Sequence, residues 1–469
     1  MIEAPLLVAG EPITTGEWVE RRNPAHPDRL VGRAVVGDAA LVRDTVSASA
    51  SAGASWRALA PAERAARLRS AGEPLEAMTD GIAELLTAEL GKTIAGSAGE
   101  FGFARTYLGM VADRAPALCA DTEEDTRFGK AIVPKEPYGV VAAIVPWNAP
   151  LILAMMKVAP ALATGNTVVL KPSPLAPLAV TTVLTKLAEG LPPGVLSVVQ
   201  GGADVGEALT TAPEVAKVSF TGGERTAEHI LRALAPGLTP AVLELGGNDP
   251  AVLLDDVELT DDLLHRLVMG SFLTAGQVCM ATKRLLVPAS RYDEVVEAYL
   301  RTADEALVLG DPAEPEVTLG PVVDAAAKTR VEALVDGARS SGADVRPVGS
   351  IHDDSVVSAG WFVRPTVVLG ASDDDPIVAT EQFGPTVPIQ AYDTVDEAVD
   401  RANAGPYGLS SSVWSEDLER AVSVARRIRA GSTSVNTANR WGINPLVPFG
   451  GVGRSGYGRE YGDAGIEGY

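Results

Sequence analysis

One cysteine and one glutamate stand out as a pair that could carry out covalent chemistry. Cys279 closes the stretch Gly276-Gln277-Val278-Cys279, and Glu244 precedes Leu245-Gly246-Gly247 at the end of an apolar run. A thiolate is a strong nucleophile toward a carbonyl carbon, and a carboxylate among apolar residues can take a proton from water near neutral pH. Together the two residues suggest catalysis through a thioester.

A cysteine that merely fills space is the plainer alternative, because free cysteines usually behave as small hydrophobic residues. The surroundings of Cys279 favour a reactive thiol, since a glycine and a polar glutamine follow an apolar, helix-like run over residues 263–274. Cys119 lies in Ala117-Leu118-Cys119-Ala120 and lacks such surroundings. We therefore expect Cys119 to fill space in the core or on the surface.

Length and composition indicate an ordinary enzyme of more than one domain. The chain has 469 residues, of which 46% are hydrophobic, and this exceeds what a single core usually contains. The formal net charge of −22 argues against nucleic acid or an anionic membrane as a partner. With only two cysteines, a disulfide framework is not expected and the cytoplasm is the default location. We expect no metal site.

Short β-rich runs alternate with helical patterns rich in alanine and leucine, which predicts an α/β fold with parallel strands joined by crossover helices. The predicted strands of a first sheet are residues 139–145, 167–171, 196–200, 215–220 and 241–245, with helices 151–163, 177–188 and 204–211 between them. A second sheet is predicted from strands 251–254, 285–288, 366–369 and 387–391, with helices 292–307 and 325–339. Residues 61–90 read as one helix, and the polar segment 121–135 as an arm toward another subunit.

Turns at the ends of the first-sheet strands are where an open α/β sheet binds ligands. Thr221-Gly222-Gly223 precedes a predicted helix, whose N–H groups could hold a pyrophosphate. Gly202 and Gly206 do not complete the usual G-x-G-x-x-G pattern of dinucleotide sites. Lys171 could reach a ribose or phosphate oxygen, and the Asn148 amide is the type of donor that stabilises an oxyanion, although both also suit ordinary strand ends.

Seven motifs, in order along the chain, resemble those of the aldehyde dehydrogenase superfamily. They are Pro146-Trp147-Asn148, Lys171-Pro172-Ser173, Phe220-Thr221-Gly222, Glu244-Leu245-Gly246-Gly247, Gly276-Gln277-Val278-Cys279, Glu381-Gln382-Phe383-Gly384-Pro385 and Pro448-Phe449-Gly450-Gly451. The resemblance extends from Asn23-Pro24-Ala25 to Ser455-Gly456-Tyr457-Gly458-Arg459-Glu460. It implies two doubly wound open-sheet domains, one Rossmann-like and one catalytic, with a small β oligomerisation arm. The implied ranges are 1–120 and 137–243 for the dinucleotide-binding domain, 244–435 for the catalytic domain, and 121–136 and 455–469 for the arm.

The resemblance also implies a role for each catalytic residue. Cys279 would attack an aldehyde, and the Asn148 amide and the Cys279 N–H would hold the resulting oxyanion. Hydride would then leave for the nicotinamide of NAD or NADP, and Glu244 would activate the water that hydrolyses the thioester. Lys157 and Asp463 match positions proposed to relay protons, although the family commonly has glutamate where Asp463 stands.

Further residues are implied to line the cofactor and substrate sites. Lys171 and Glu381 match contacts to the two riboses, and Trp147 matches a residue near the phosphates. The whole expected cofactor set is Trp147, Lys171, Ser173, Pro174, Gly202, Gly206, Phe220, Thr221, Gly222, Gly223, Leu245, Gly246, Glu381 and Phe383. The expected substrate set is Ala149, Met156, Leu273, Val278, Met280, Trp441 and Phe449.

Three departures from the family pattern concern selectivity. Pro174 replaces a glutamate that many NAD-preferring members have, so NADP use stays open. Gly223 replaces the usual serine of its turn, which removes a hydroxyl that could cap the helix or touch phosphate. Ala149, Met156 and Leu273 stand where aromatic residues are common, which predicts a wide tunnel for a bulky or functionalised aldehyde. Arg440 could meet an anionic tail of that aldehyde, or could be an ordinary exposed loop arginine.

The sequence therefore predicts an NAD(P)-dependent aldehyde dehydrogenase that takes a small-molecule substrate and forms a homodimer or homotetramer. A semialdehyde dehydrogenase that acylates coenzyme A is the first alternative, and Glu244 argues against it because that carboxylate suits hydrolysis. A non-catalytic binding protein on the same fold is the second alternative. The combination of Cys279, Asn148 and Glu244 argues against that alternative.

Overall fold

The computed structural model describes residues 1–469 and contains two large mixed sheets, each covered by helices. The first sheet has eight strands, and its five central strands are mutually parallel. In spatial order the strands are Gly456–Tyr457, Ala241–Glu244, Val215–Thr221, Val140–Ile144, Thr167–Lys171, Leu196–Val198, Leu6–Val8 and Glu11–Ile13. The predicted α/β fold is thus confirmed.

Helices cover both faces of the eight-stranded sheet, because its central strands are apolar on both sides. Val141 and Ala143 join a core of 48 buried residues on one face, while Val140 and Ala142 join a core of 18 on the other. Successive side chains of a strand point to opposite faces, so an unbroken apolar run is typical of a strand buried on both sides. The helices of this unit are Ala39–Arg57, Pro61–Gly72, Thr79–Leu90, Ile94–Leu118, Pro150–Thr164, Pro177–Ala188, Ala203–Thr210, Glu224–Leu234 and Gly462–Glu467.

The second sheet has seven strands, six of them parallel and one antiparallel strand at an edge. In spatial order they are Asp344–Pro347, Thr366–Leu369, Thr386–Tyr392, Arg284–Pro288, Pro250–Leu253, Ser410–Trp414 and Ser432–Val435. The helices of this unit are Asp261–Phe272, Tyr292–Ala306, Ala325–Ser340, Asp354–Ala359, Pro376–Ala379, Val395–Asn403 and Leu418–Ala425. No helix of the chain combines the length and apolar character needed to cross a bilayer.

Smaller elements complete the fold. Ile2–Ala4, Leu30–Val36 and Glu17–Arg22 form a three-stranded sheet, and Val308–Leu309 pairs with Ser350–Ile351. Thr122–Thr126 and Gly129–Val133 form an isolated antiparallel hairpin within the predicted arm. Short 3-10 helices lie at Glu73–Met78, Ala235–Gly237, Leu273–Gly276, Ala289–Arg291, Asn439–Gly442 and Gly453–Ser455.

Two sequence predictions about chain segments were wrong. The single helix predicted over 61–90 is interrupted by the 3-10 helix Glu73–Met78, because Pro74 lacks an N–H and cannot continue an α-helix. The segment 455–469 was assigned to the arm, but Gly456–Tyr457 pairs with Ala241–Glu244 in the eight-stranded sheet. Ile466 and Tyr469 are buried in the core of the same unit, so this segment closes the sheet next to Glu244.

Candidate active site

The stretch before Cys279 makes a strained turn at the end of the helix Asp261–Phe272. Thr274, Ala275 and Gly276 have φ values of 56°, 53° and 69°, so three successive residues are left-handed. Only glycine adopts this region without cost. A Cβ on Gly276 would also overlap the carbonyl oxygen of Gly384. The turn therefore depends on Gly276 and is packed against the loop that contains Glu381.

Gln277 and Asn148 connect the strained turn to the eight-stranded unit. The Gln277 side chain donates to the Thr274 carbonyl at 3.1 Å and accepts from the Val323 N–H at 3.0 Å. Asn148 follows the strand Val140–Ile144, and its Nδ2 donates to the Gln277 carbonyl at 3.0 Å. The structure thus places the predicted oxyanion donor against the loop that presents the predicted nucleophile.

A buried ion pair lies behind Asn148 and was missed by sequence reasoning. Lys92 Nζ donates to the Asn148 carbonyl at 3.0 Å and pairs with Glu100, and both charged side chains are buried. Glu100 also accepts the Leu151 N–H at 2.8 Å, at the start of the helix Pro150–Thr164. The pair fixes the backbone on either side of Asn148. Nothing in the spacing of a lysine and a glutamate eight residues apart distinguishes this pair from surface charges.

Cys279 has a free, partly exposed side chain. Burial of the sulfur raises the thiol pKa to about 12; Lys283 opposes the shift, whereas Glu381, Asp249 and Glu244 add to it. A thiol of this kind is protonated at neutral pH and requires a base before it can attack. Cys119 is also free but caps the distant helix Ile94–Leu118.

Glu244 ends the strand Ala241–Glu244 and is buried, and neither of its carboxylate oxygens has a hydrogen-bond partner. Burial raises the pKa of Glu244 well above its usual range, and the charge of Glu460 adds to this effect. Lys157 and Arg459 act in the opposite direction. A buried carboxyl with two free oxygens and a raised pKa can accept a proton from a bound thiol or water.

Lys157 pairs with Glu460, whereas the resemblance matched Lys157 and Asp463 to positions proposed to relay protons. Lys157 Nζ lies 2.5 Å from Glu460 Oε1, and both side chains are essentially unexposed. Asp463 instead accepts from Arg114 at 2.8 Å, with nearly half of its side chain exposed. The prediction for Asp463 was wrong because the helix Gly462–Glu467 begins after Glu460 and directs Asp463 outward.

The strand end at Phe220 and Thr221 forms a cradle that fits a pyrophosphate. Gly223 precedes the helix Glu224–Leu234, no side chain caps that helix, and a Cβ on Gly223 would meet nothing within 4 Å. The hydroxyl of Thr221 is buried without a partner. Free N–H groups at a helix start together with an unpaired hydroxyl suit an anionic ligand.

The other predicted cofactor residues form two groups. Lys171 is buried, which lowers its pKa to about 8 against the influence of Asp204. A Cβ on Gly206 would lie 3.8 Å from the Lys171 side chain, so Lys171 packs against the helix that follows Gly202, and Ser173 and Pro174 continue the chain after the strand of Lys171. In the second group, Glu381 accepts the Gly247 N–H at 3.0 Å and packs on Gly246, after Leu245. The Phe383 ring meets Trp147 edge to face at 5.7 Å.

Five of the seven predicted substrate residues are at least partly exposed: Ala149, Leu273, Val278, Trp441 and Phe449. Met156 is buried in the core, and Met280 is buried beside a small polar cavity lined by serines and Asn439. Phe449 packs edge to face on Tyr461 at 6.4 Å. Tyr107 contacts Tyr461 in the same way at 5.1 Å. The sequence analysis missed Tyr107 and Tyr461, because the two residues are distant along the chain.

Comparison with known proteins identifies the class of protein that this fold and site define. The profile of the aldehyde dehydrogenase family matches residues 13–469. The chain is 36% identical to the betaine aldehyde dehydrogenase of Cereibacter sphaeroides strain KD131 over 460 residues, covering 97% of this chain and 90% of that protein. It is 35% identical to the NADP(+) succinate-semialdehyde dehydrogenase of Escherichia coli K12 over 460 residues, covering 97% and 93%.

A solved structure supports the same family assignment as these relatives. The aldehyde dehydrogenase of Mycobacterium tuberculosis complexed with NAD+ superposes with a TM-score of 0.93 at 35% identity, covering 100% of this chain and 96% of that one. The chain belongs to the aldehyde dehydrogenase family. It is an NAD(P)-dependent oxidoreductase that oxidises aldehydes to carboxylic acids.

Proposed function

We propose that Cys279 is the nucleophile of this enzyme and that its sulfur attacks the aldehyde carbon to form a thiohemiacetal. The observation that carries the proposal is the hydrogen bond from Asn148 Nδ2 to the Gln277 carbonyl at 3.0 Å. This bond holds the only predicted side-chain oxyanion donor beside the nucleophile's loop. The Asn148 amide and the Cys279 N–H then stabilise the negative oxygen of the thiohemiacetal.

Glu244 supplies base chemistry in the hydrolytic half of the reaction. The Cys279 thiol, whose side chain is partly exposed, passes its proton to solvent before the sulfur attacks the aldehyde. After the thioester has formed, Glu244 deprotonates the water that attacks it, which releases the carboxylic acid and returns the sulfur. The unpaired carboxylate oxygens leave Glu244 free to hold a proton or a water. The buried Lys157–Glu460 pair adjoins Glu244 and sets its charge environment.

The eight-stranded unit binds NAD(P), and the oxidised nicotinamide supplies the acceptor for the hydride that leaves the aldehyde carbon. The turn Thr221-Gly222-Gly223 would hold the pyrophosphate, since its helix start is uncapped. Lys171 would contact one ribose and Glu381 the other, with Trp147 and Phe383 packed against each other between the two units. The seven-stranded unit is the catalytic domain that presents Cys279.

The substrate is an aldehyde larger than acetaldehyde with an anionic group. Ala149 and Leu273 are partly exposed and small or aliphatic where the family often has aromatic residues, which favours a wide approach to the Cys279 thiol. The Arg440 guanidinium makes no ion pair, lies 4.9 Å from the Trp441 ring, and has its pKa lowered by burial. Arg440 follows Asn439, whose Nδ2 donates to the Gly270 carbonyl at 3.0 Å on the helix that leads to the Cys279 turn. An unpaired cation in this segment suits the carboxylate of a semialdehyde. Arg440→Ala should raise KM for succinate semialdehyde but not for butanal, whereas equal turnover of acetaldehyde and long or aromatic aldehydes argues against this substrate class.

The isolated hairpin is the contact between copies in a homodimer or homotetramer. All residues of Thr122–Thr126 and Gly129–Val133 are exposed, including Ile132 at 57% and Val133 at 56%, and Phe128 in the turn between the strands is 84% exposed. Exposed apolar side chains on an open strand edge are a surface that proteins usually cover. Ile132→Glu combined with Val133→Glu should lower the mass measured by light scattering. The two free thiols support a cytoplasmic location.

The catalytic proposal is tested by following reduced-nicotinamide absorbance with NAD+ and NADP+ for wild type, Cys279→Ala and Asn148→Ala. Activity should disappear in Cys279→Ala and fall by about 100-fold or more in Asn148→Ala, the loss typical of removing an oxyanion donor. Cys119→Ala is the matched thiol control and should keep full activity. Turnover of Cys279→Ala at the wild-type rate overturns the assignment of Cys279 as the nucleophile. Wild-type turnover that requires coenzyme A overturns the hydrolytic role of Glu244.

A further inference from the structure

Lys283 is a buried cation that contacts the backbone of the loop that contains Cys279. It lies four residues after Cys279, with 2% of its surface exposed. Its ammonium donates to the carbonyl oxygen of Val278 at 3.0 Å and to that of Cys279 at 2.5 Å. The loop that presents the thiol is therefore tied to this side chain.

The same ammonium reaches the loop of Glu381. Lys283 Nζ lies 3.4 Å from Glu381 Oε1, and that oxygen also accepts the Gly247 N–H at 3.0 Å. The carbonyl of Lys283 accepts from Gln382 Nε2 at 3.2 Å, so backbone and side chain both hold the 381–384 loop. One residue thus connects the thiol loop with the carboxylate assigned to a ribose.

Apart from Lys283, the charged groups around Cys279 disfavour its thiolate form. Glu381, Asp249 and Glu244 all disfavour ionisation of Cys279, and Lys283 is the cation that opposes them. Burial raises the pKa of the Tyr461 hydroxyl well above its usual range, and Cys279 is among the groups whose charge adds to this effect. Asp249 is buried and bonded to Ser410 at 2.5 Å, so its position is fixed. Removing Lys283 would leave the sulfur facing three carboxyl groups without a compensating charge.

We propose that Lys283 is a positioning residue that holds the Cys279 loop against Glu381 and supplies the positive charge that favours the Cys279 thiolate. The proposal rests on the assignment of Cys279 as the nucleophile. Lys283 itself need not touch the substrate, since its three ammonium donors are directed to two carbonyls and a carboxylate.

The test is the rate of Cys279 alkylation by iodoacetamide at about pH 8, measured without cofactor in a Cys119→Ala background so that only one thiol reacts. Below the thiol pKa this rate follows the thiolate fraction. Lys283→Met should therefore lower the rate by about tenfold or more, the effect expected on losing a close opposite charge. Lys283→Arg keeps the charge and should restore the rate. An unchanged rate in folded Lys283→Met overturns the proposal.

Cofactor binding gives the second readout. Lys283→Met should raise the Kd for NAD+ in a fluorescence titration, because Glu381 loses its partner, and an unchanged Kd overturns the link to Glu381. Lys217→Met is the matched control, since Lys217 is also buried but packs over the Tyr138 ring at 4.6 Å instead of pairing with a carboxylate. It should leave the alkylation rate of Cys279 unchanged. If Lys283→Met does not fold, Lys283→Gln makes the same comparison with a neutral donor.

A different result would show that Cys279 is not the nucleophile. If alkylation of wild type leaves aldehyde oxidation intact, Cys279 is not the nucleophile and the positioning role falls with it. If alkylation inactivates wild type but Lys283→Met keeps the wild-type alkylation rate, the assignment of Cys279 stands and only the role of Lys283 is excluded.

Discussion

Lys157 Nζ and Glu460 Oε1 lie 2.5 Å apart in the interior of the protein, with less than 2% of either side chain exposed. The pair adjoins Glu244, and its two members push the pKa of Glu244 in opposite directions. Breaking a buried pair by removing one partner typically costs about 3 to 5 kcal/mol, because the other charge stays buried. Glu460 therefore affects both stability and the base that releases the product.

Glu460→Gln should shift the acid limb of the pH–rate profile for hydrolysis to lower pH. The Glu460 charge favours the protonated form of Glu244, so removing it lowers the Glu244 pKa and the basic form becomes available at lower pH. The measurement is kcat against pH under conditions where hydrolysis limits turnover. Asp463→Asn is the matched control and should leave the limb in place, because Asp463 pairs with Arg114 at the surface. A shift of equal size in both variants contradicts the assignment.

Gly276→Ala should abolish activity and lower Tm. Alanine at position 276 would have to adopt a left-handed backbone conformation, which costs about 1 to 2 kcal/mol of stability. Its Cβ would also overlap the carbonyl oxygen of Gly384. Gly223→Ala provides the comparison, since Gly223 has φ −78° and open space around it. Thermal unfolding followed by circular dichroism should show a loss for Gly276→Ala only. Wild-type activity and Tm in Gly276→Ala would show that the turn tolerates a side chain.

Pro174→Glu should move cofactor preference toward NAD+. A carboxylate beside Lys171 and Ser173 would repel the phosphate that distinguishes NADP+. We expect kcat/KM for NADP+ relative to NAD+ to fall by about tenfold, which corresponds to about 1.4 kcal/mol. Pro174→Gln separates charge from shape and should change the ratio little. An unaltered ratio in Pro174→Glu would place the adenosine end elsewhere.

Glu89 should make the folded state less stable as pH rises. It is buried and accepts the N–H groups of Leu178 and Ala179 at the start of a helix, and burial raises its pKa from 4.5 to about 7. The folded state then binds a proton more tightly than the unfolded state between these values. As pH rises from 4.5 to 7, the free energy of unfolding of wild type should fall by about 3 kcal/mol relative to that of Glu89→Gln.

This dependence is measured as the Tm difference between wild type and variant at pH 5 and pH 8. The exposed Glu84, on the same helix, supplies the control Glu84→Gln, whose Tm difference should stay constant. A constant difference for Glu89→Gln as well would mean that Glu89 titrates normally.

The sequence predicted the α/β fold because its central strands are apolar on both faces and its helices are regular in pattern. Cys279, Glu244 and Asn148 were identifiable because each ends a strand or helix in a short glycine-containing or proline-containing turn. Their partners were not, since Lys92, Glu460 and Lys283 pair with residues chosen by packing in three dimensions. The error at Asp463 has the same origin: two acids three residues apart differ only in the direction set by the last helix.

The most direct test of the catalytic account is mass spectrometry of Glu244→Gln after mixing with an aldehyde and NAD+. With Glu244 absent as base for water, hydrolysis should stop after reduced nicotinamide has formed in an amount no greater than one per site. The peptide that contains Cys279 should then have the mass of the acyl group added through a thioester. Continued turnover with no acyl group on that peptide would contradict both the nucleophile and the base.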